Sequence, residues 1–291
     1  MWLSLSLLAA FSLATADTIT KRHFSVLDPF EMGIIRLTYT LPWLVGAIFF
    51  IPWPHLDRVF FICLACGLPL ETLAFYCYMR AIKVSPLSLT LPFLAFTPVF
   101  MILTGWIVLG ETLTYLGVMG IVLIVIGSYF LNLSQARTGF FEPFKAVFKE
   151  TGSWLMLITS FIYSLTSVIG KLAILHSSPY FFAVSYFIMF TLVMLSFVPL
   201  VPGVKAQHFL IKPRWGIALG GVMALMIFSH MLAISMVQAA YMIAVKRTSL
   251  VFGVLYGAWV FKEENIPERL VGALVMILGV FIIALSMVYR V

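Results

Sequence analysis

Six ionisable residues lie inside long apolar stretches of the sequence. They are Asp17, Arg36, Glu71, His230, Lys246 and Arg247. A charged side chain at the centre of a lipid bilayer costs about 2.5–3.5 kcal/mol or more unless it faces protein or water. If these stretches cross a membrane, the six residues indicate an internal polar site that can bind a charged group or transfer a proton.

Lys246 and Arg247 are the strongest candidates for binding. At 1.5 Å per helical residue both lie roughly 5–6 Å from the bilayer midplane, whereas the hydrocarbon boundary is about 15 Å away. Consecutive side chains point about 100° apart on a helix, so the two cations cannot both snorkel along one lipid-facing path. A polar cavity that both face explains the pair, and an internal ion pair that fixes helix packing is the alternative. His230 is expected at a depth similar to that of Lys246.

Glu71 is expected roughly 3 Å beyond the midplane on the other side. Asp17 and Arg36 lie further out on that side, where Asp17 can pair with Arg36 or with Lys21. If Glu71 or Asp17 neutralises Arg36, at most one carboxylate remains for the lysine–arginine pair. The remaining positive charge favours an anionic substrate group, and Glu71 is a candidate proton carrier or resting counter-ion.

Tyrosines are the other candidate lining of a cavity, because a hydroxyl inside a bilayer requires a partner. Six tyrosines are candidates: Tyr39, Tyr76, Tyr78, Tyr163, Tyr241 and Tyr256. Tyr241 and Tyr256 are preferred as substrate contacts because they share an apolar stretch with Lys246 and Arg247. Packing, or a place in the interfacial belt, is the alternative for any one of them.

The composition explains why these charges are unusual. Hydrophobic residues make up 63% of the 291 residues and charged residues 10%, with a mean hydropathy of +1.10. Soluble proteins carry roughly 45–50% apolar and about 25% charged residues, so the chain is expected to be an integral membrane protein. The net charge of +7 comes mostly from short loops and indicates no nucleic-acid partner.

Ten apolar segments are long enough to predict an all-α protein with ten transmembrane helices. They cover residues 2–20, 30–51, 59–79, 86–109, 113–133, 153–175, 180–201, 215–236, 239–261 and 267–289. The connection 135–152 predicts a short interfacial helix.

Cys63, Cys66 and Cys77 fall in one segment and are interpreted as small buried hydrophobes rather than metal ligands.

A shift of 152 residues relates the two halves of the chain. It pairs Gly105 with Gly257, Glu111 with Glu263, Gly120 with Gly272, and Gly127 with Gly279. This predicts five-helix repeats over 1–134 and 153–291, so segment 2–20 belongs to the folded protein rather than to a signal peptide.

Each repeat has an odd number of helices, so the two repeats are inverted relative to each other. Inverted repeats are typical of secondary transporters, and a scaffold that transports nothing is the alternative. Gly105, Gly253 and Gly257 predict close helix approach.

The stretches 85–111 and 239–263 resemble the EamA-domain transporters of the drug/metabolite transporter superfamily. Each runs through an apolar helix to a glycine or lysine before a glutamate, and a glycine-rich helix follows. The family often has Glu-Pro in the fourth helix, where this chain has Thr97 and Pro98. The resemblance implies a multi-pass secondary transporter of a small metabolite.

Residues 244–249, Ala-Val-Lys-Arg-Thr-Ser, are similar to the lysine–arginine pair of the triose-phosphate translocators. In that family the pair holds phosphate, so the resemblance implies that Lys246 and Arg247 bind an anion. The family's third basic ligand corresponds to Leu94, which leaves room for a carboxylate in place of phosphate.

Other functions leave no trace in the sequence. The five histidines have no metal-ligand spacing, no glycine-rich loop for ATP is present, and nothing indicates an enzyme or a cofactor. The remaining alternatives are a drug or amino-acid exporter that selects by an aromatic cavity, and a channel or sensor. Expected partners are a small metabolite, membrane lipid, and a proton or exchanged anion; a monomer suffices, although a dimer is compatible with the sequence.

The distribution of Lys and Arg predicts the orientation. Twelve of the 18 basic residues fall in odd-numbered loops, whereas even-numbered loops and the chain ends hold Arg58, Lys171 and Arg290. The positive-inside rule then places both termini outside a bacterial-type cytoplasmic membrane. Related ten-helix transporters would lead us to expect the termini inside, so the two arguments conflict.

Overall fold

The computed structural model describes residues 1–85, 93–133, 151–201, 204, 206–262 and 266–288, and in these ranges every regular element is helical. The helices are α1 (Trp2–Phe24), α2 (Pro29–Ile48), α3 (Arg58–Val84), α4 (Thr97–Leu109), α5 (Tyr115–Leu133), α6 (Thr151–Leu175), α7 (Pro179–Phe197), α8 (Pro213–Met236), α9 (Ala239–Lys246), α10 (Ser249–Val260) and α11 (Ile266–Val288). Two short 3₁₀ helices, Val198–Leu200 and Ala206–Leu210, connect α7 to α8. The interfacial helix predicted in the linker falls mainly on residues outside the described ranges.

Among the described residues, seven spans are long and apolar enough to cross a membrane, and shorter apolar helices accompany them. One of the seven is 239–260, which combines α9 and α10. The chain is therefore a multi-pass helical membrane protein, and ten complete spans remain a prediction. Of the three cysteines, Cys63 and Cys77 are buried as expected, whereas Cys66 is exposed.

Two predicted helices are broken near their middle. The sequence predicts one helix over 239–261, but α9 ends at Lys246 and α10 begins at Ser249. The described part of segment 86–109 has a turn at residues 95 and 96, before α4 begins at Thr97. The 152-residue shift places the two breaks at equivalent positions, so the break belongs to both halves of the molecule.

The helices also pack in pairs related by exchange of the two halves. Helix α1 packs on α8 as α3 packs on α6, and α1 contacts α10 as α6 contacts α4. Helix α5 packs along α11, its equivalent. This arrangement fits the two-repeat architecture and brings α1, α3, α4, α6, α8 and α9 around one interior region.

Close helix approach occurs between α5 and α11. A Cβ atom added to Gly120 would lie 2.7 Å from the carbonyl oxygen of Gly279, and one added to Gly127 would lie 2.6 Å from that of Gly272. The expectation of close approach at Gly253 is wrong for the described part of the chain, where a Cβ atom at this position meets nothing within 4 Å. The glycines of this contact are those that reveal the repeat in the sequence.

Side-chain oxygens in the loops cap the N-termini of several helices. Asp57 accepts a hydrogen bond from the backbone N–H of Phe60 at the start of α3, and Ser178 caps α7 in the same way. The Asp57 carboxylate also lies 2.6 Å from His176, in the loop between α6 and α7. The hydrogen bond from Phe60, followed by that from His176, lowers the pKa of Asp57. These contacts fix where α3 and α7 begin relative to α6.

Candidate functional site

Helices α4, α6 and α8 meet close to Lys246 and Arg247, which lie at the end of α9. Lys246 Nζ lies 2.7 Å from Nδ1 of His230 on α8. Arg247 Nη2 donates a hydrogen bond of 2.8 Å to the hydroxyl of Thr97, the first residue of α4. The Thr97 hydroxyl is also 3.2 Å from the hydroxyl of Ser160 on α6. Both cations therefore contact other helices, which is compatible with a polar cavity and with the packing alternative.

The break after α9 positions both side chains. The backbone N–H of Arg247 still bonds to the carbonyls of Ile243 and Ala244, but the chain then turns and α10 begins at Ser249. Helix α4 begins at Thr97, in contact with Arg247. Two helices thus start beside the arginine, and the N-terminus of a helix carries partial positive charge. Half-helix ends of this kind bind ionic groups in secondary transporters.

Arg247 has an unused hydrogen-bond donor. Its Nε is buried and makes no hydrogen bond with any of the residues that the structure describes, while Nη2 binds Thr97. A buried unpaired donor costs about 1–3 kcal/mol, and more on a charged group. A planar guanidinium offers donors in a fork that matches a carboxylate or phosphate. Arg247 Nε thus leaves one donor of this fork without a partner among the described residues.

Glu71 on α3 also belongs to this region. Its carboxylate lies within hydrogen-bonding reach of the Thr166 hydroxyl on α6 and interacts electrostatically with Lys246. Tyr78 and Tyr163 interact with Arg247. Both tyrosines were considered from the sequence but not preferred, and the signal that identifies them is their place on α3 and α6, which carry Glu71 and Thr166.

Asp17 and Arg36 form an ion pair of 2.6 Å, which is one of the two pairings that the sequence left open. The Lys21 ammonium instead lies 4.5 Å from the ring centre of Phe261. Lys246 interacts electrostatically with both members of the Asp17–Arg36 pair. Electrostatic interactions thus link all six of the ionisable residues first identified in the sequence, from His230 and Lys246 to Asp17, whose side chain is 58% exposed.

Tyr241 and Tyr256 lie elsewhere. Tyr241 is fully buried, and its hydroxyl accepts a 2.9 Å hydrogen bond from the backbone N–H of Thr114. The Tyr256 hydroxyl lies 2.7 Å from that of Thr15, and its ring packs on Phe11. Their placement favours the packing alternative over the substrate contacts expected of them.

A second buried charge cluster was missed by the sequence analysis. Lys171, expected in a loop, lies inside α6 and forms an ion pair with Glu111, which follows α4. The other Glu111 oxygen accepts a 2.9 Å hydrogen bond from the backbone N–H of Ala239, and Lys171 donates to the carbonyl of Val237. We call these four residues the Glu111 tie. The available signal was a lysine within an apolar segment, facing a glutamate that the repeat marks.

The comparisons with known proteins agree with this architecture. The model of the EamA-like transporter family matches residues 1–133 and 150–285. One solved crystal structure is similar with a TM-score of 0.75 at 14% sequence identity, over 99% of this chain and 99% of its own. An identity this low shows the fold alone. No curated protein sequence matches the chain significantly.

Proposed function

Because the chain belongs to the EamA-like transporter family, we propose that it carries a small anionic or zwitterionic metabolite across the membrane as a secondary transporter, by alternating access. The observation that carries the anionic character is the buried, unpaired Nε of Arg247 beside Lys246. The two half-helix N-termini add positive potential at the same place.

The charge balance of the interior supports an anion. Asp17 and Arg36 neutralise each other in their ion pair. Glu71 then interacts with Lys246, so two formal positive charges, those of Lys246 and Arg247, stand against one formal negative charge. A bound monoanion completes the balance, since isolated charge inside a bilayer is costly. Arg247 binds the anionic group through its fork, and Lys246 adds a point charge.

A zwitterion also fits this cluster. The Glu71 carboxylate lies on α3, across the cluster from α9, and hydroxyls of Tyr78 and Tyr163 are close to it or to Arg247. These groups accept hydrogen bonds and can hold an ammonium group while Arg247 holds a carboxylate. Glu71 otherwise acts as a resting counter-ion of the two cations.

For transport, the breaks at 95–96 and 247–248 supply the discontinuous helices around which the repeats of secondary transporters move. We further propose that the transporter has ten spans, that both termini lie outside the cytoplasmic membrane, and that a monomer is a sufficient unit. The coupling species is a proton or an exchanged anion.

A drug or amino-acid exporter is the second candidate. In that case the interior cations hold helices together, and Lys246 already contacts His230 while Arg247 contacts Thr97. A channel or sensor with the same site would differ by showing non-saturating flux or no flux.

Removal of Arg247 tests the anion site. In detergent, sulfate, inorganic phosphate, pyruvate, alanine and choline are added separately, and thermal unfolding is followed. A ligand at 100 times its Kd stabilises by about 2.7 kcal/mol. We expect an anion or zwitterion to stabilise the parent, and Arg247→Ala to weaken binding by about 30-fold or more, since truncating a buried charge partner costs about 2–5 kcal/mol.

Lys83→Ala is the matched control, because it removes one positive charge from an exposed ion pair with Asp28. It should leave binding unchanged. Stabilisation by choline alone, equal in Arg247→Ala and the parent, would contradict the anion site and favour the exporter. Saturable uptake of the stabilising compound into liposomes then separates a transporter from a channel or sensor.

A further inference from the structure

Two basic nitrogens are in hydrogen-bonding contact at the centre of the site. Lys246 Nζ and His230 Nδ1 lie 2.7 Å apart. We propose that this pair couples the binding of the anion to the uptake of one proton, which makes the protein a proton-coupled anion carrier. The inference rests on the proposed function and assigns its coupling residue.

The contact limits how many protons the pair can hold. A lysine ammonium has three donors and no acceptor, and an imidazolium has two donors and no acceptor. A hydrogen bond between Nζ and Nδ1 therefore requires one of them to be unprotonated. The pair therefore carries at most one positive charge in the unliganded site, and the inference places it on the Lys246 ammonium, which donates to Nδ1 of a neutral His230 ring.

The surrounding charges decide when a second proton can be added. The groups that interact with the pair, directly or through the same cluster, are Arg247 at the helix break, Arg36 on α2, Asp17 on α1, Glu71 and Tyr78 on α3, Tyr163 on α6 and Tyr186 on α7. Arg36 is neutralised by its ion pair with Asp17. Repulsion by Arg247 makes a second proton on the pair less favourable, whereas attraction by Glu71 makes it more favourable. One extra positive charge is therefore unfavourable in the empty site.

A bound anion reverses this balance. It draws the Lys246 ammonium towards itself and away from Nδ1, so Nδ1 becomes a free acceptor. One proton from the solution adds to Nδ1, and the imidazolium that forms is stabilised by the anion. When the anion leaves, the two cations face each other again and one proton returns to the solution. One proton thus crosses with each anion.

The pH dependence of binding tests the coupling. The probes are sulfate and pyruvate, whose charges do not change between about pH 5.5 and 8.5, and the affinity of each is measured by thermal stabilisation. Uptake of one proton strengthens binding about tenfold for each unit of pH decrease, over the range in which the empty pair lacks its second proton.

His230→Asn keeps a hydrogen-bond acceptor near the position of Nδ1 but cannot be protonated. Its affinity for the probe should be independent of pH, whereas Glu71→Gln should keep the slope. A slope that survives in His230→Asn and disappears in Glu71→Gln would assign the proton to Glu71 and overturn the inference. A flat profile in the parent, with binding intact, would also overturn it while leaving the anion site standing.

The charge of His230 can be measured without a ligand. In protein labelled with ¹⁵N-histidine, the signal missing from His230→Asn identifies the ring. We expect a ring with only one protonated nitrogen at pH 6, and a doubly protonated ring once a stabilising probe is added. A doubly protonated ring before addition would overturn the coupling. No binding of any probe anion to the parent would instead overturn the proposed anion site, and the coupling with it.

Discussion

Replacing Glu111 with alanine is expected to lower the free energy of unfolding by about 3–5 kcal/mol, because it leaves a buried lysine without its counter-charge. Lys171 is 9% exposed and Glu111 13% exposed, so little water can compensate the ammonium. The substitution also removes the acceptor for the backbone N–H of Ala239. The midpoint of unfolding in an SDS titration, followed by circular dichroism, measures the loss.

The exposed ion pair between Lys83 and Asp28 is the control for this experiment. Its side chains are 60% and 42% exposed, so Asp28→Ala should lose about 0–1 kcal/mol for the ion pair, plus the contribution of its helix cap at α2. Glu111→Gln retains an acceptor for Ala239 and should fall between the parent and Glu111→Ala. A loss below about 1 kcal/mol in Glu111→Ala would show that the Glu111 tie is not a stabilising contact.

The Glu111 tie joins the two halves of the molecule. It connects the end of α4 in the first half to α6 and to the junction of α8 and α9 in the second half. The hydroxyl of Tyr241 binds Thr114 close by, in the same two halves. If the two halves separate on this side of the membrane, as the proposed alternating access requires, these contacts have to break.

The sequence could predict most of the helices, because hydropathy and glycine or proline boundaries are local signals. Segment 153–175 corresponds to α6, Thr151–Leu175, and segment 215–236 to α8, Pro213–Met236. The break at 247–248 has no such signal, since neither glycine nor proline interrupts residues 239–252. In the first half Pro98 lies in the first turn of α4 and marks the break there.

The site could be predicted in part for a similar reason. Charges in apolar segments are rare, so the six ionisable residues can be identified from the sequence alone. Which of them touch depends on how α8 and α9 cross, and the contact between His230 and Lys246 has no local signal. The direction of a tyrosine side chain is likewise not predictable from the sequence. Tyr241 shares a segment with Lys246, but its hydroxyl binds Thr114.

The contact between α5 and α11 provides the second large effect. Gly120→Ala is expected to destabilise the protein by about 1–3 kcal/mol, because overpacking a close contact forces the helices apart. The added Cβ atom would lie 2.6 Å from Cγ1 of Ile283 and 2.7 Å from the carbonyl oxygen of Gly279. The backbone oxygen cannot move without the whole of α11. The SDS midpoint again measures the change.

Gly253→Ala is the matched control, because its Cβ atom would meet nothing within 4 Å on α10. Alanine favours a helix over glycine by about 1 kcal/mol, so this variant should be as stable as the parent or more stable. The two substitutions add the same methyl group to helical glycines, and only the α5–α11 contact distinguishes them. Equal midpoints for both variants would mean that α5 and α11 can separate freely, contrary to the packing seen here. A loss in Gly120→Ala alone shows that the glycines which reveal the repeat in the sequence also hold its two halves together.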